Sequence, residues 1–338
     1  MIREAINILT QSIDLSSNEM IECMTEIMEG RATDAQIAAF LTVLKVKGET
    51  VEEITAAVTV MREKAIKITA PEGVVDTCGT GGDLSHTFNI STTAAVVTAA
   101  CGIPVAKHGN RSVSSRTGSA DVLEALDVII DLSPEKVEKC LYETGFGFLF
   151  APLFHPAMKY AVSPRREIGI RTIFNILGPL TNPAGAKRQI VGVYDAALTE
   201  PLAAVLGNLG AVDAMVFHGA DGLDEVTISD GTYVSRFSGG TVNNLVFAPE
   251  DFRFDRAELS TLSGGNREDN ARITYEILSG GKGPGRDIVI MNSACALMVS
   301  QQQYELDAAV NMVTDALDSG SALRKLEEIK RVSQKLKD

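Results

Sequence analysis

The sequence predicts an α/β protein in two parts: a small all-helical N-terminal domain, then a large α/β domain with a mostly parallel sheet. Three observations carry this. The first ~70 residues keep helical periodicity and contain no strand-like run. After "APEGVV", near Pro71, short apolar runs alternate with helical runs, as expected for strands covered on both faces. The chain is also long enough, at 338 residues and 45% hydrophobic, for about two domains with cores of their own.

The helical part is marked by its caps. Ser16 with Glu19, Thr33 with Gln36 and Thr50 with Glu53 are capping boxes, each ahead of an amphipathic run. Ile37, Phe40, Leu41 and Leu44 keep i, i+3, i+4, i+7 spacing, as do Ile54, Ala57, Val58 and Met61. Gly30 and Gly48 stand where helices end. The domain is assigned to residues 1–70, with a segment near 160–185 expected to complete it. Four short amphipathic helices cannot all cover one another. Some apolar face is therefore left for another chain or for the second domain.

The α/β domain is assigned to residues 71–338. Its expected strands are "VVDTC", "IPVAKH", "VIIDL", "FGFLF", "QIVGVY", "AMVFHG" and "DIVIMN". "VTISDGTYVSRF" reads as an antiparallel hairpin around Asp230-Gly231. The C-terminal "LRKLEEIKRVSQKLKD" reads as a solvated closing helix. Open α/β sheets bind ligands at the carboxyl ends of their strands, so the loops after "VVDTC" and "IPVA" are the first places to look.

Charge narrows the ligand. The net charge is −13, which disfavours sequence-independent binding to nucleic acid or anionic lipid. An anion site must then be a local basic pocket. The five cysteines form no CxxC pair and fit no disulfide framework, so reduced thiols in a cytoplasmic protein are expected. "MIREAINILTQSIDL" carries Arg3, Glu4 and Asp14 within its apolar pattern and does not read as a signal peptide. No apolar run is long enough to span a bilayer.

Four stretches could carry chemistry. "GTGGDLSHTFNIST" has Leu at position 84, so it is not GxGxxG, and no Lys makes it a Walker A loop. Gly79, Gly81 and Gly82 would still let backbone N–H groups approach an anion. Asn89, Ser91 and Thr92 stand at a helix start, where phosphate is favoured. An ordinary turn with an N-cap is the competing reading. Asp83, an acid beside this loop, calls for a cation or for sugar hydroxyls.

"KHGNRSVSSRTGSADVLEAL" repeats the strand–loop–helix arrangement. It carries cations at Lys107, His108, Arg111 and Arg116 and donors at Asn110, Ser112, Ser114, Ser115 and Ser119. Such density suits a pyrophosphate-like polyanion; a surface loop is the alternative. "HGADGLDEVTI" offers Asp221, Asp224 and Glu225, either Mg2+ ligands or a polar turn, which alone is the simpler reading. "SPRREIGIRTIFNILGPLTNPAGA" carries Arg165, Arg166 and Arg171, suited to clamping a carboxylate or to pairing with Glu167. The four histidines have no metal-site spacing.

Together, "GTGGD", "FNIST", "KHGNR", "GSADVLEAL", "RTIFNILGPLTNPAGA" and "DGLDE" resemble the anthranilate phosphoribosyltransferase family, in order and nearly over the whole chain. One departure is Asp127, where the family pattern leads one to expect Gly. The resemblance implies transfer of a phosphoribosyl group from phosphoribosyl pyrophosphate to the amine of anthranilate, a Mg2+-dependent step of tryptophan biosynthesis. It implies a homodimer joined through the helical domain. It places Gly79, Gly82, Asp83, Thr87, Asn89, Ile90, Ser91 and Thr92 on phosphoribosyl pyrophosphate. Lys107, His108, Gly109, Asn110, Arg111, Ser112, Val113, Ser114, Ser115 and Ser119 would form the second wall. Gly79, Asn110 and Arg165 would contact anthranilate, and Ser91, Asp224 and Glu225 would hold Mg2+. Lys107 and Asp83 take the catalytic roles. The rival readings are a pyrimidine nucleoside phosphorylase, and a non-enzymatic nucleic-acid-binding relative of the same fold.

Overall fold

The computed structural model describes residues 1–83, 85–111 and 117–337. It opens with four helices, α1 (Ile2–Leu9), α2 (Ser17–Met28), α3 (Asp34–Lys47) and α4 (Val51–Lys64). All three capping boxes form, each with both reciprocal hydrogen bonds. Glu53 does more than cap. It is fully buried, and its carboxylate accepts from Leu15 N (3.0 Å), Thr50 N (2.8 Å) and Lys47 Nζ (2.8 Å). A buried carboxylate is tolerable when paired and saturated with donors in this way.

There follow β1 (Val75–Gly79), α5 (Ile90–Ala100), β2 (Val105–Gly109), α6 (Ser119–Ala125), α7 (Pro134–Thr144), β3 (Phe146–Phe150), α8 (Ala151–Phe154), α9 (Lys159–Ile168) and α10 (Phe174–Leu180). The chain continues through β4 (Arg188–Gly192), α11 (Thr199–Asn208), β5 (Asp213–Gly219), β6 (Thr232–Ser238), β7 (Thr241–Phe247), α12 (Arg267–Leu278), α13 (Pro284–Val299), α14 (Leu306–Asp318) and α15 (Ser321–Lys337).

The seven strands form one sheet in the order β3-β2-β1-β4-β5-β6-β7. β3, β2, β1, β4 and β5 are parallel; β6 and β7 are antiparallel additions. The chain winds outward from β1 to β3, then returns to β4 on the other side of β1. The strand order therefore reverses between β1 and β4, where a crevice opens at the carboxyl edge.

Two large cores divide the molecule. One lies between the sheet and α5, α12, α13, α14 and α15. The other joins α1 to α4 with Ile173, Phe174, Leu177 and Leu180, then continues into Leu202 and Leu206 of α11 and Val191 and Val216 of the sheet. α9 packs on α2 and α3, and α10 on α4. Much of the apolar surface of the four N-terminal helices is thus covered within this chain.

Four sequence expectations differ from what is observed. "VIIDL" is an extended connection outside the sheet, although Val128, Ile130 and Leu132 still bury alternate side chains. "DIVIMN" lies within α13, where Ile288, Val289, Ile290 and Met291 are all buried. An element apolar on every side has no period to separate helix from strand; Pro284 at its first turn was the available signal. The hairpin turns at Gly239–Gly240, both with positive φ (59° and 85°), and joins β6 to β7. Asp230-Gly231 instead leads into β6, which pairs on its other edge with β5. The closing helix α15 is half-sunk, burying Leu326, Ile329 and Val332. Asp127, where Gly was expected, takes φ 61° at the end of α6, and its carboxylate meets Lys330 Nζ at 2.6 Å.

Candidate active site

The crevice is an open cleft of about 440 Å³ at the ends of β1 and β2, roofed by residues from α9 and α10. Every described residue that the family resemblance assigns to a substrate or to Mg2+ lines it, from Gly79 to Glu225, whereas Arg166, Arg171 and Asp221 do not. Ser112, Val113, Ser114 and Ser115 lie outside the described residues.

The acidic pair is set by close backbone approach. A Cβ on Gly192, at the end of β4, would sit 1.7 Å from the Asp224 carbonyl oxygen. One on Gly79, at the end of β1, would sit 2.8 Å from Asp224 Oδ2. Only glycine lets the loop after β5 settle across these strand ends. Asp224 Oδ2 accepts from Gly81 N (2.7 Å), and Glu225 Oε1 accepts from Ser91 N (3.0 Å) in the first turn of α5. Burial, then the neighbouring Asp83, pushes the Asp224 carboxyl up to about 8. Burial and Asp224 likewise raise Glu225. The loop is braced from behind. Asn292 of α13 holds both Val226 N and Val226 O at 3.0 Å, and Asp221 accepts from Leu223 N (3.1 Å) and Thr227 Oγ1 (2.6 Å).

Lys107 points from β2 beneath the same helix start. It is 2% exposed; its ammonium donates to Thr77 O and, at 3.3 Å, to Ser91 Oγ. Burial lowers its pKa, against the pull of Asp76, Cys78 and Glu225. Asp76, itself pushed up by burial, accepts from His108 N and Gln189 Nε2, both at 3.2 Å.

Asn89, the N-cap residue of α5, turns its side chain into a wider network. Its Nδ2 donates to Thr117 O (3.1 Å), and its Oδ1 accepts from Asn270 Nδ2 (2.9 Å). Asn270 in turn accepts from Gly265 N (2.7 Å). Thr87 makes a single antiparallel bridge to Ser263. Gly265 and Asn270 were not singled out from the sequence; the Gly264-Gly265 pair ahead of the capping Asn266 was the only local signal.

In the second loop, Asn110 Oδ1 accepts from Arg111 N (2.7 Å), and Ser119 Oγ donates to Asn110 O (3.3 Å). The Arg111 guanidinium is engaged by Asp121 (2.9 Å) and Glu124 (3.0 Å) while lying 5.8 Å from the Phe150 ring. The His108 ring turns towards α10, with Nδ1 3.2 Å from Gly178 O and its centroid 5.0 Å from that of His155. Burial takes His108 down to about 3 and His155 down to about 4, so both are neutral.

Arg165, half-buried in α9, lies 5.3 Å from the Phe174 ring. No carboxylate among the described residues pairs with it, and Glu167 accepts from Ser163 Oγ (2.7 Å) instead. Burial lowers its pKa. Arg171 donates to Gly82 O and lies 4.2 Å over the Tyr194 ring. The cleft therefore has a floor formed by the glycine loop and the start of α5, with Lys107 and an acidic pair beneath. An unpaired guanidinium stands on the opposite, more apolar side.

The chain matches the glycosyl transferase family in both of its domains, the helical bundle domain over residues 3–65 and the a/b domain over residues 71–323. It is 54% identical to an anthranilate phosphoribosyltransferase of Symbiobacterium thermophilum, covering 96% of this chain and 95% of that protein. It is 55% identical to one of Moorella thermoacetica, with 97% of each covered. Among solved structures it superposes on the Thermus thermophilus enzyme of that name with a TM-score of 0.93, at 38% identity, over 98% of this chain and 99% of that one. The Saccharomyces cerevisiae enzyme, solved in complex with phosphoribosyl pyrophosphate and Mg, gives a TM-score of 0.90 at 27% identity, over 99% of this chain and 98% of that one.

Proposed function

The chain belongs to the anthranilate phosphoribosyltransferase family, and on that premise we propose that the cleft binds phosphoribosyl pyrophosphate over β1 and β2 and anthranilate beneath α9 and α10. The reaction forms a bond from the anthranilate nitrogen to ribose C1 and breaks the bond from C1 to pyrophosphate. One amine proton is released, and the products are N-(5-phosphoribosyl)anthranilate and pyrophosphate. The observation that carries this reading is the meeting of Lys107, Glu225 and the start of α5 at Ser91. It puts a cation, carboxylates and the positive end of a helix within one polyanion-sized recess.

The residues' roles follow from charge. As C1 takes on oxocarbenium-like character, negative charge gathers on the departing pyrophosphate. Lys107, held beneath the start of α5, would stabilise such charge, and a fixed donor in a partly dry cleft needs no reorganisation. Arg165, which has no carboxylate partner among the described residues, would hold the anthranilate carboxylate. The anthranilate amine is neutral near pH 7, so positioning supplies most of the acceleration. Asn110, beside the mouth of β2, would orient the acceptor amine, while Asp83 would face the ribose end.

The donor set also suits Mg2+. Among the described residues, no three His, Cys, Asp or Glu side chains make a self-sufficient metal site. Asp224, Glu225 and Ser91 instead offer two carboxylates and a hydroxyl, all hard oxygen donors, so a phosphorylated substrate would complete the shell. The raised carboxyl pKa values reflect buried negative charge that is short of counter-charge. Mg2+ bound there would neutralise charge on the pyrophosphate.

The same reading extends to assembly and place. Residues 1–70 with 160–185 would act as the helical domain and 71–338 as the phosphoribosyl pyrophosphate domain, and the helical domain would carry a homodimer contact. Val46 of α3, 83% exposed, and Val162 of α9, 53% exposed, support that surface. All five cysteines are free, in keeping with the cytoplasm. No helix among the described residues is long and apolar enough to cross a membrane. Anthranilate fluorescence tests the function: it should fall only when phosphoribosyl pyrophosphate and a divalent cation are both present. Wild-type rates in excess EDTA would reject the metal assignment.

A further inference from the structure

Arg171 touches the glycine loop from outside the sheet, and we infer that it is a positioning residue that preorganises this loop for the phosphoribosyl pyrophosphate subsite. The inference rests on the proposed function and extends it to a residue with no assigned role. Gly81 and Gly82 are consecutive residues with positive φ, 65° and 78°. A loop of this kind has wide conformational freedom, and ordering it costs free energy that a ligand must otherwise supply.

The structure restrains the loop at successive residues. Thr80 N donates to Gly192 O (2.9 Å), and Thr80 Oγ1 accepts from Tyr194 N (3.1 Å). Gly81 N donates to Asp224 Oδ2 (2.7 Å). These restraints come from residues at or just beyond the ends of β4 and β5. Gly82 is held differently: its carbonyl accepts from Arg171 Nη2. A Cβ on Gly82 would stand 3.5 Å from that same nitrogen, so the guanidinium lies in van der Waals contact over the glycine.

Holding this carbonyl fixes the next amide. In a planar trans peptide the C=O and N–H point in opposite directions, so with Gly82 O on Arg171 the Asp83 N–H faces away from the guanidinium. Arg171 is itself held by stacking 4.2 Å over the ring of Tyr194, the residue whose amide restrains Thr80. Lysine could replace the charge but not the planar contact that stacks and donates together. Arg171 also lies six positions after Arg165, in the connection between α9 and α10. The connection that supplies the acceptor-side guanidinium thus also braces the donor-side loop.

The test is direct binding of phosphoribosyl pyrophosphate by calorimetry, with steady-state kinetics, for wild type, Arg171→Ala, Arg171→Lys and Tyr194→Leu. Loss of a charge-assisted hydrogen bond in a partly exposed setting should weaken phosphoribosyl pyrophosphate by about 5- to 10-fold in Arg171→Ala. KM for anthranilate should change less than twofold at saturating phosphoribosyl pyrophosphate. Arg171→Lys should recover only part of the affinity, and Tyr194→Leu should show a smaller loss in the same parameter. Wild-type binding that is unchanged in Arg171→Ala would overturn the inference alone, as would equal weakening of both substrates. Failure of the wild type to bind phosphoribosyl pyrophosphate would overturn the functional reading and the inference with it.

Discussion

Lys107 and Glu225 meet at one residue, Ser91. The lysine ammonium donates to its hydroxyl at 3.3 Å, and the glutamate accepts its backbone N–H at 3.0 Å. The three come from β2, the loop after β5 and the first turn of α5, so the sheet, not local sequence, builds the contact. Lys107→Ala should therefore lower kcat and raise KM for phosphoribosyl pyrophosphate. KM for anthranilate should stay within about threefold, since a shift of that size is under 1 kcal/mol. Steady-state kinetics with each substrate varied checks this, and a defect confined to anthranilate would contradict it.

Arg165 should govern anthranilate. Its guanidinium is half-buried, stacked near Phe174 and free of any carboxylate partner among the described residues. A charged hydrogen bond there is worth roughly 1.5–3 kcal/mol, or about 10- to 150-fold in affinity. Arg165→Ala should raise KM for anthranilate by that order and leave phosphoribosyl pyrophosphate nearly unaffected. Equal effects on both substrates, or none on either, would reject the assignment.

His155 should make folding stability depend on pH. Its folded pKa is depressed to about 4 by burial, below the value of about 6.5 in an unfolded chain. Above pH 6.5 both states are neutral and its contribution is fully present. As pH falls from 6.5 towards 4, the unfolded chain gains a proton that the folded protein refuses. Stability should drop by about 1.4 kcal/mol per pH unit from this residue, with His108 adding a similar slope down to about 3. Urea unfolding of wild type and His155→Gln between pH 7 and pH 5 should give a shallower dependence for the variant. Parallel curves would show that His155 does not titrate this way.

Asp127 carries a backbone cost that its side chain partly offsets. Its φ of 61° is left-handed, where a side chain costs roughly 1 kcal/mol relative to glycine. Its exposed ion pair with Lys330 returns less than about 1 kcal/mol. Asp127→Gly should thus be neutral to mildly stabilising by thermal melting. Asp127→Val, which loses the pair and introduces a branched Cβ at a left-handed φ, should lower the melting temperature clearly. The opposite ranking would contradict the account.

What the sequence made legible follows from how local each signal is. The capping boxes at Ser16, Thr33 and Thr50 were readable because cap and partner are three residues apart. The motifs of the two loops were readable because each loop follows its strand directly. Asn270, 181 positions from the Asn89 it bonds, carries no such local mark. Nor does Asn292, which braces Val226 from within a buried helix. "DIVIMN" misled for the same reason, since a segment buried on all sides hides its period. The pairing of Arg111 with Asp121 and Glu124 was also hidden: a dense run of cations and hydroxyls does not say which cation is already spent.

The central claim is that this cleft transfers phosphoribose from pyrophosphate to anthranilate. Its most direct test is to quantify, in one reaction, the anthranilate consumed and the pyrophosphate released by the wild-type protein with Mg2+. The account predicts equal molar amounts, with both lost together in Asp224→Asn/Glu225→Gln while the variant remains folded. Pyrophosphate release that does not depend on anthranilate would contradict it, as would phosphate-dependent cleavage of thymidine with no consumption of anthranilate.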